Sequence, residues 1–200
     1  RQFLSDNELS NLETYDFISE RLDRVRDLFI FSCYTGIAYV DLMKLTKNNI
    51  AIGIDGNQWI ITKRQKTKTP VKVPILERTK AIIDKYDNHP MTQVTGMLLP
   101  SITNEKLNVF LKEVANFCGI KKNLTFHMAR HTFATTVTLT NGVPIETVSK
   151  LLGHTKISTT QIYAKVIERK VSDDMNALKL ILNINKEKNK LTKSKSTGSD

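Results

Sequence analysis

Between residues 127 and 163 the chain carries His127, Arg130, His154 and Tyr163, in that order. A phosphoryl transfer needs an in-line nucleophile, fixed positive charge on the non-bridging oxygens and a proton donor for the leaving oxygen. Tyrosine, arginine and histidine supply all three, so no metal or other cofactor is called for. On a helix, His127 and Arg130 stand at i and i+3, and both side chains point from one face toward one phosphate. Tyr163 must then come from a second element folded back over that face.

Two other readings of these segments compete. His127 and His131 are spaced i,i+4, as in metalloprotease helices, but Met128 stands where that motif needs its glutamate base. Val148, Leu151 and Leu152, a turn at Gly153, then Ile157 and Ile162 suit a helix-turn-helix entering a major groove. That reading explains spacing and charge but gives His154 and Tyr163 no task.

The elements that must position these groups follow from local pattern. Ser5 ahead of Glu8 reads as an N-cap, with a helix starting near Asp6 inside residues 4–15. A helix over residues 21–35 buries Leu22, Val25, Leu28, Phe29, Ser32 and Cys33, and Gly36 ends it. A short helix over 38–45 comes next. β-Branched runs at 50–54, 59–62 and 71–74, divided by Asp55, Gly56 and Asn57 and then by a basic loop, predict a three-stranded antiparallel sheet. Helices are expected over 77–87, 103–118, 125–140 and 144–152, with 88–100 irregular and a last helical region from about residue 158. The fold class is therefore α+β: mostly helical, with a small sheet.

With 200 residues and 40% hydrophobic content, the chain can bury one core. Its formal charge of +10 points to a polyanionic partner, nucleic acid first, because each Lys or Arg set on a phosphate releases counterions. Residues 186–200 hold five lysines against two acids, so the body itself stays basic. No apolar run approaches the roughly 18 residues of a spanning helix, and no membrane partner or basic-then-apolar leader is read at the start. Cys33 and Cys118 lack a Cys-x-x-Cys spacing and read as reduced, buried thiols. Residues from 185 onward carry no apolar stripe and are expected to be a disordered basic tail. With no initial methionine, the chain is expected to be part of a longer protein.

Taken together, His127, Arg130, His131, the Leu151, Leu152, Gly153, His154 run, Ile157 through Tyr163, and Thr35, Gly36, Ile37 resemble the catalytic domain of the tyrosine recombinase, or phage integrase, family. The resemblance covers about residues 4–170. The segment from Lys63 to Pro74 is similar to integrases of Bacteroides-type mobile elements. It implies a site-specific DNA recombinase in which Tyr163 attacks the scissile phosphate to give a 3′-phosphotyrosine. Arg130 would hold the non-bridging oxygens, His127 and His154 would hydrogen-bond the phosphate, and His127 could take the tyrosine proton. Lys66 matches the lysine that protonates the leaving 5′-oxygen, with Lys63, Lys68, Lys72 and His131 as further DNA contacts.

One position departs from the family. Its first catalytic arginine matches Ala38, and loss of one guanidinium from such a clamp can cost several kcal/mol in the transition state. Arg64 is the candidate replacement: it lies two residues before Lys66, and the period of a strand would put both on one face. Asp41 is expected to orient a neighbouring basic group.

The resemblance further implies recombination-site duplexes as partners and a homotetramer on DNA. The apolar stripe of Met175, Leu178, Ile181 and Leu182 is a candidate for exchange between subunits. Residues 1–184 would form the catalytic domain, with an amino-terminal DNA-binding domain outside this chain. A bacterial cytoplasmic, nucleoid-associated location is expected. The rival functions are a catalytically impaired sequence-specific DNA-binding protein and a related topoisomerase.

Overall fold

The computed structural model describes residues 2–163, 171–172, 175–176 and 178–182, and divides into a unit over residues 1–162 and a second over 163–200. The expected tail lies outside the described residues.

In the first unit, α1 (Asp6–Thr14) opens on the expected cap: Ser5 Oγ accepts from Glu8 N at 3.3 Å while Glu8 Oε2 accepts from Ser5 N at 2.8 Å. Beside it, α2 (Glu20–Thr35) is the central helix, with Leu28, Phe29, Phe31 and Cys33 fully buried. The second half of α2, from Leu28 on, is apolar on nearly every side and belongs inside a core, and the helix packs against α4 (Glu77–Tyr86), α6 (Asn104–Phe117) and α7 (Phe126–Thr132). Both cysteines are free and buried.

The short α3 (Tyr39–Leu42) replaces the longer helix expected over 38–45. The amides of Lys44 and Leu45 bond three residues back, to Asp41 and Leu42, which tightens the chain into a turn. The Leu45 carbonyl is taken instead by Leu98 N at 2.6 Å.

Strands β1 (Ile50–Ile52), β2 (Gln58–Lys63) and β3 (Pro70–Pro74) form the expected antiparallel sheet in sequence order. Ile60 pairs with Val73 and Thr62 with Val71, so the buried face holds Ile60, Val71 and Val73. Lys63 and Lys72 are exposed on the other face.

Within the stretch read as irregular lies α5 (Pro90–Thr95). Its signals are proline at the first turn, His89 Nδ1 accepting from Met91 N at 3.2 Å, and Gly96 as left-handed cap. The helix expected over 125–140 changes geometry partway: α7 continues as a π-helix over Phe133–Leu139. Threonine hydroxyls cause crowding on the carbonyls there. Thr135 Oγ1 donates to His131 O, Thr138 Oγ1 to Phe133 O and Ala134 O, and Thr140 N bonds five residues back to Thr135 O.

After α8 (Ile145–Leu151) come two 3₁₀ turns, Ile157–Thr159 and Gln161–Tyr163, where a last helical region was expected to begin at about residue 158. No helix of the described residues is long and apolar enough to cross a membrane. In the second unit the described residues from 171 onward are helical, and Met175, Leu178, Ile181 and Leu182 are exposed.

Candidate active site

The site is built where α7 starts and α2 and α8 end. Thr125 precedes α7 without a side-chain cap. The missing acceptor comes from another helix: Asn108 Oδ1 of α6 accepts from Phe126 N at 2.7 Å, while Asn108 Nδ2 donates to Asn104 O at 2.8 Å. The first turn of α7 is thereby fixed to α6, and this turn carries His127 and leads to Arg130. The amino-terminal segment holds the opposite side, since Leu4 N donates to Thr132 Oγ1 at 3.0 Å and Thr136 Oγ1 donates to Leu4 O.

Arg130 is buried. Its Nη1 donates to Gly36 O at 2.6 Å and its Nη2 to Leu152 O. Both carbonyls lie where helices end and carry the partial negative charge of the helix terminus. Such hydrogen bonds to a charged group contribute roughly 1.5–3 kcal/mol each, enough to hold the guanidinium in one orientation. Gly36 reaches its place through a left-handed backbone (φ 68°), and a Cβ there would stand 2.5 Å from Phe133 Cδ1.

Gly153 repeats the device at the end of α8. Its φ is 60°, and an added Cβ would lie 2.5 Å from Val71 Cγ2 and 2.8 Å from Arg64 Cδ. The β2–β3 hairpin therefore packs directly on this turn. Arg64 Nη1 approaches Gly153 O at 3.4 Å, so the two arginines reach consecutive carbonyls, Leu152 and Gly153.

His154 follows at once, half-buried, with Nδ1 2.8 Å from the hydroxyl of the fully buried Thr160. Burial, then the positive charges of Arg130 and Arg64, push its pKa down to about 4. At neutral pH the ring is uncharged between two guanidinium groups.

The expectation that Arg64 and Lys66 share a strand face is corrected. β2 ends at Lys63, and both residues lie in the turn beyond it, where side chains no longer alternate. Arg64 turns inward to Gly153, whereas Lys66 is exposed, as are Lys63, Lys68 and Lys72. The buried Asp41 accepts from Gln65 N at 2.9 Å, so it grips the backbone between Arg64 and Lys66 rather than a basic side chain.

His131 is buried, and its ring meets that of the exposed His127 edge-on at 4.6 Å. Ala38 lines a cavity of about 300 Å³ together with His127, Arg130 and Tyr39. Arg64 comes from the hairpin side and is not part of that lining. Tyr163 closes the second 3₁₀ turn and begins the second unit.

A profile of the Phage integrase family matches residues 3–170. The chain belongs to that family. It is 43% identical over 149 residues to Tyrosine recombinase XerD of Listeria monocytogenes, covering 70% of this chain and 49% of that protein. It is 26% identical over 177 residues to Tyrosine recombinase of Pseudothermotoga lettingae, covering 88% and 60%. The chain thus spans about half the length of the curated relatives it matches. Among solved structures, the fold is shared with XerH site-specific recombinase bound to palindromic difH substrate in a post-cleavage complex (TM-score 0.67, 18% identity, 89% of this chain and 53% of that one). It is also shared with the catalytic domain of bacteriophage HP1 integrase (TM-score 0.57, 20% identity, 87% and 93%).

Proposed function

We propose that this integrase-family chain is the catalytic domain of a site-specific recombinase that cuts and rejoins DNA through a 3′-phosphotyrosine. The observation that carries the reading is the buried Arg130 guanidinium, fixed by the Gly36 and Leu152 carbonyls with His127 one helical turn before it. Preorganised charge of this kind is the main need of phosphoryl transfer. In this reading the Tyr163 oxygen attacks phosphorus and its proton passes to His127. The tyrosine O–P bond forms as the P–O5′ bond breaks, and Lys66 protonates the departing 5′-oxygen. The phosphotyrosine keeps the bond energy, so another 5′-hydroxyl can reverse the step.

Arg130 and Arg64 share the phosphate charge. Arg64 replaces the charge missing at Ala38, not its position, arriving beside His154 from the hairpin. If the Thr160 hydroxyl donates to Nδ1, the neutral His154 keeps its proton on Nε2, ready for a phosphate oxygen. Asp41 sets the hairpin turn that presents Lys66, and His131 backs His127. Lys63, Lys68 and Lys72 meet backbone phosphates.

The same reading extends to the whole protein. Residues 1–184 serve as the catalytic domain, 185–200 as a basic tail, and an amino-terminal DNA-binding domain belongs to the longer protein. The partners are recombination-site duplexes and three further copies, with exchange of the exposed Met175, Leu178, Ile181 and Leu182 face. A role in moving a Bacteroides-type mobile element, in the cytoplasm at the nucleoid, fits the basic hairpin. A nicked suicide duplex tests the chemistry: a covalent adduct that disappears in Tyr163→Phe supports it, and no adduct on a site the protein binds overturns it.

A further inference from the structure

A cavity of about 620 Å³ lies on the other flank of the site, and no role above uses it. Arg21, Arg24 and Lys106 line it, with Thr103, Tyr39 and Phe110. The Arg21 guanidinium lies 4.2 Å from the centre of the Phe110 ring and pairs with Glu113 at 3.2 Å, so its charge is partly spent. Arg24 is different. Among the described residues its Nη1 meets only the weak acceptor Met91 Sδ at 3.0 Å, and its buried Nε has no hydrogen-bond partner. The exposed Lys106 has no ion pair among the described residues.

Two further features give the cavity a direction. Thr103 is the N-cap of the fourteen-residue α6, so a helix start adds its positive end to the same opening. Tyr39 lines both this cavity and the one holding Ala38, His127 and Arg130, and its hydroxyl donates to Ile102 O at 2.6 Å, which fixes the shared wall. A strand whose phosphate rests at Arg130 can continue past Tyr39 toward Arg24.

We infer that the Arg24 and Lys106 cavity seats a DNA backbone phosphate beyond the one that reacts, anchoring the flanking duplex. The inference rests on the DNA-processing reading above. An under-bonded guanidinium, a free ammonium and a helix start together make a phosphodiester seat with hydrogen-bond direction as well as charge.

The test is the salt dependence of binding to a short duplex, measured by fluorescence anisotropy between about 50 and 200 mM salt. Each phosphate contact contributes roughly 0.9 to the slope of log K against log salt. Arg24→Ala with Lys106→Gln is expected to flatten the slope by about two contacts while the thermal melt stays cooperative. Arg24→Lys, which keeps the charge, is expected to retain most of the slope. Lys121→Ala, an exposed lysine away from the cavity, sets the background of a diffuse charge effect. An unchanged slope in the double variant, or a drop per charge no larger than that of Lys121→Ala, overturns the inference and leaves the recombinase reading intact. If the unaltered chain binds no duplex, the DNA reading itself falls.

Discussion

Gly153→Ala tests whether the hairpin rests on the α8 turn as described. Two costs combine. The left-handed backbone at φ 60° penalises any Cβ by about 1–2 kcal/mol. The new carbon would also stand 2.5 Å from Val71 Cγ2 in the buried face of β3 and 2.8 Å from the Arg64 stem. The Arg64 stem can bend, but Val71 is held by pairing with Thr62, so overpacking adds about 1–3 kcal/mol. The total is about 2–5 kcal/mol, within the ~5–15 kcal/mol stability of an ordinary domain. Gly119 supplies the control, since it has φ 67° but nothing within 4 Å of an added Cβ. Gly119→Ala carries the backbone cost alone, and the difference between the two variants isolates the clash. Urea titration followed by circular dichroism measures both, and Gly153→Ala is expected to lose at least ~1 kcal/mol more than Gly119→Ala. Equal losses would mean that the hairpin does not pack on Gly153, and the account of Arg64 beside His154 would go with it.

Three further outcomes follow from the same geometry. Arg64→Ala should depress cleavage of a nicked duplex much more than it weakens binding, and equal losses would reduce Arg64 to a backbone contact. The His154 ring should titrate near pH 4 by NMR, and added inorganic phosphate should raise the midpoint by screening Arg130 and Arg64; a midpoint that ignores phosphate would refute an anion seat there. Because the folded chain holds this imidazole neutral while the unfolded one protonates near 6.5, its contribution to stability is present above that pH. It declines as pH falls toward 4 and is flat below, by about 1–2 kcal/mol once solvent screening is allowed for. Asn108→Ala should cost about 1–2 kcal/mol, as the loss of a helix cap does, and slow cleavage, with Asn108→Asp restoring most of the rate because it keeps the oxygen that Phe126 N needs; an Asp variant as slow as Ala would leave Asn108 only a packing role.

What was legible in the sequence divides along a physical line. Local signals carried: Ser5 with Glu8 gave the first cap, Gly36 the end of α2, and alternating Ile60, Thr62, Val71 and Val73 the sheet. Signals that compete locally did not, as at 133–139, where threonines bond back to carbonyls and widen a helix that periodicity alone reads as regular. The supports of the site were illegible for a third reason: they are backbone carbonyls and distant amides, which no side-chain pattern encodes. Arg130 was visible, but its partners Gly36 O and Leu152 O lie 94 and 22 residues away, and Asn108 gave no sign that it caps a helix 18 residues later. The glycines were the only trace. Read with the structure, the Thr35, Gly36 and Leu152, Gly153 motifs serve as two helix ends whose carbonyls aim one guanidinium. That explains how the chain can carry alanine at 38 and still keep Arg130 in place: its guanidinium is held by the Gly36 and Leu152 carbonyls at two helix ends, which do not involve position 38.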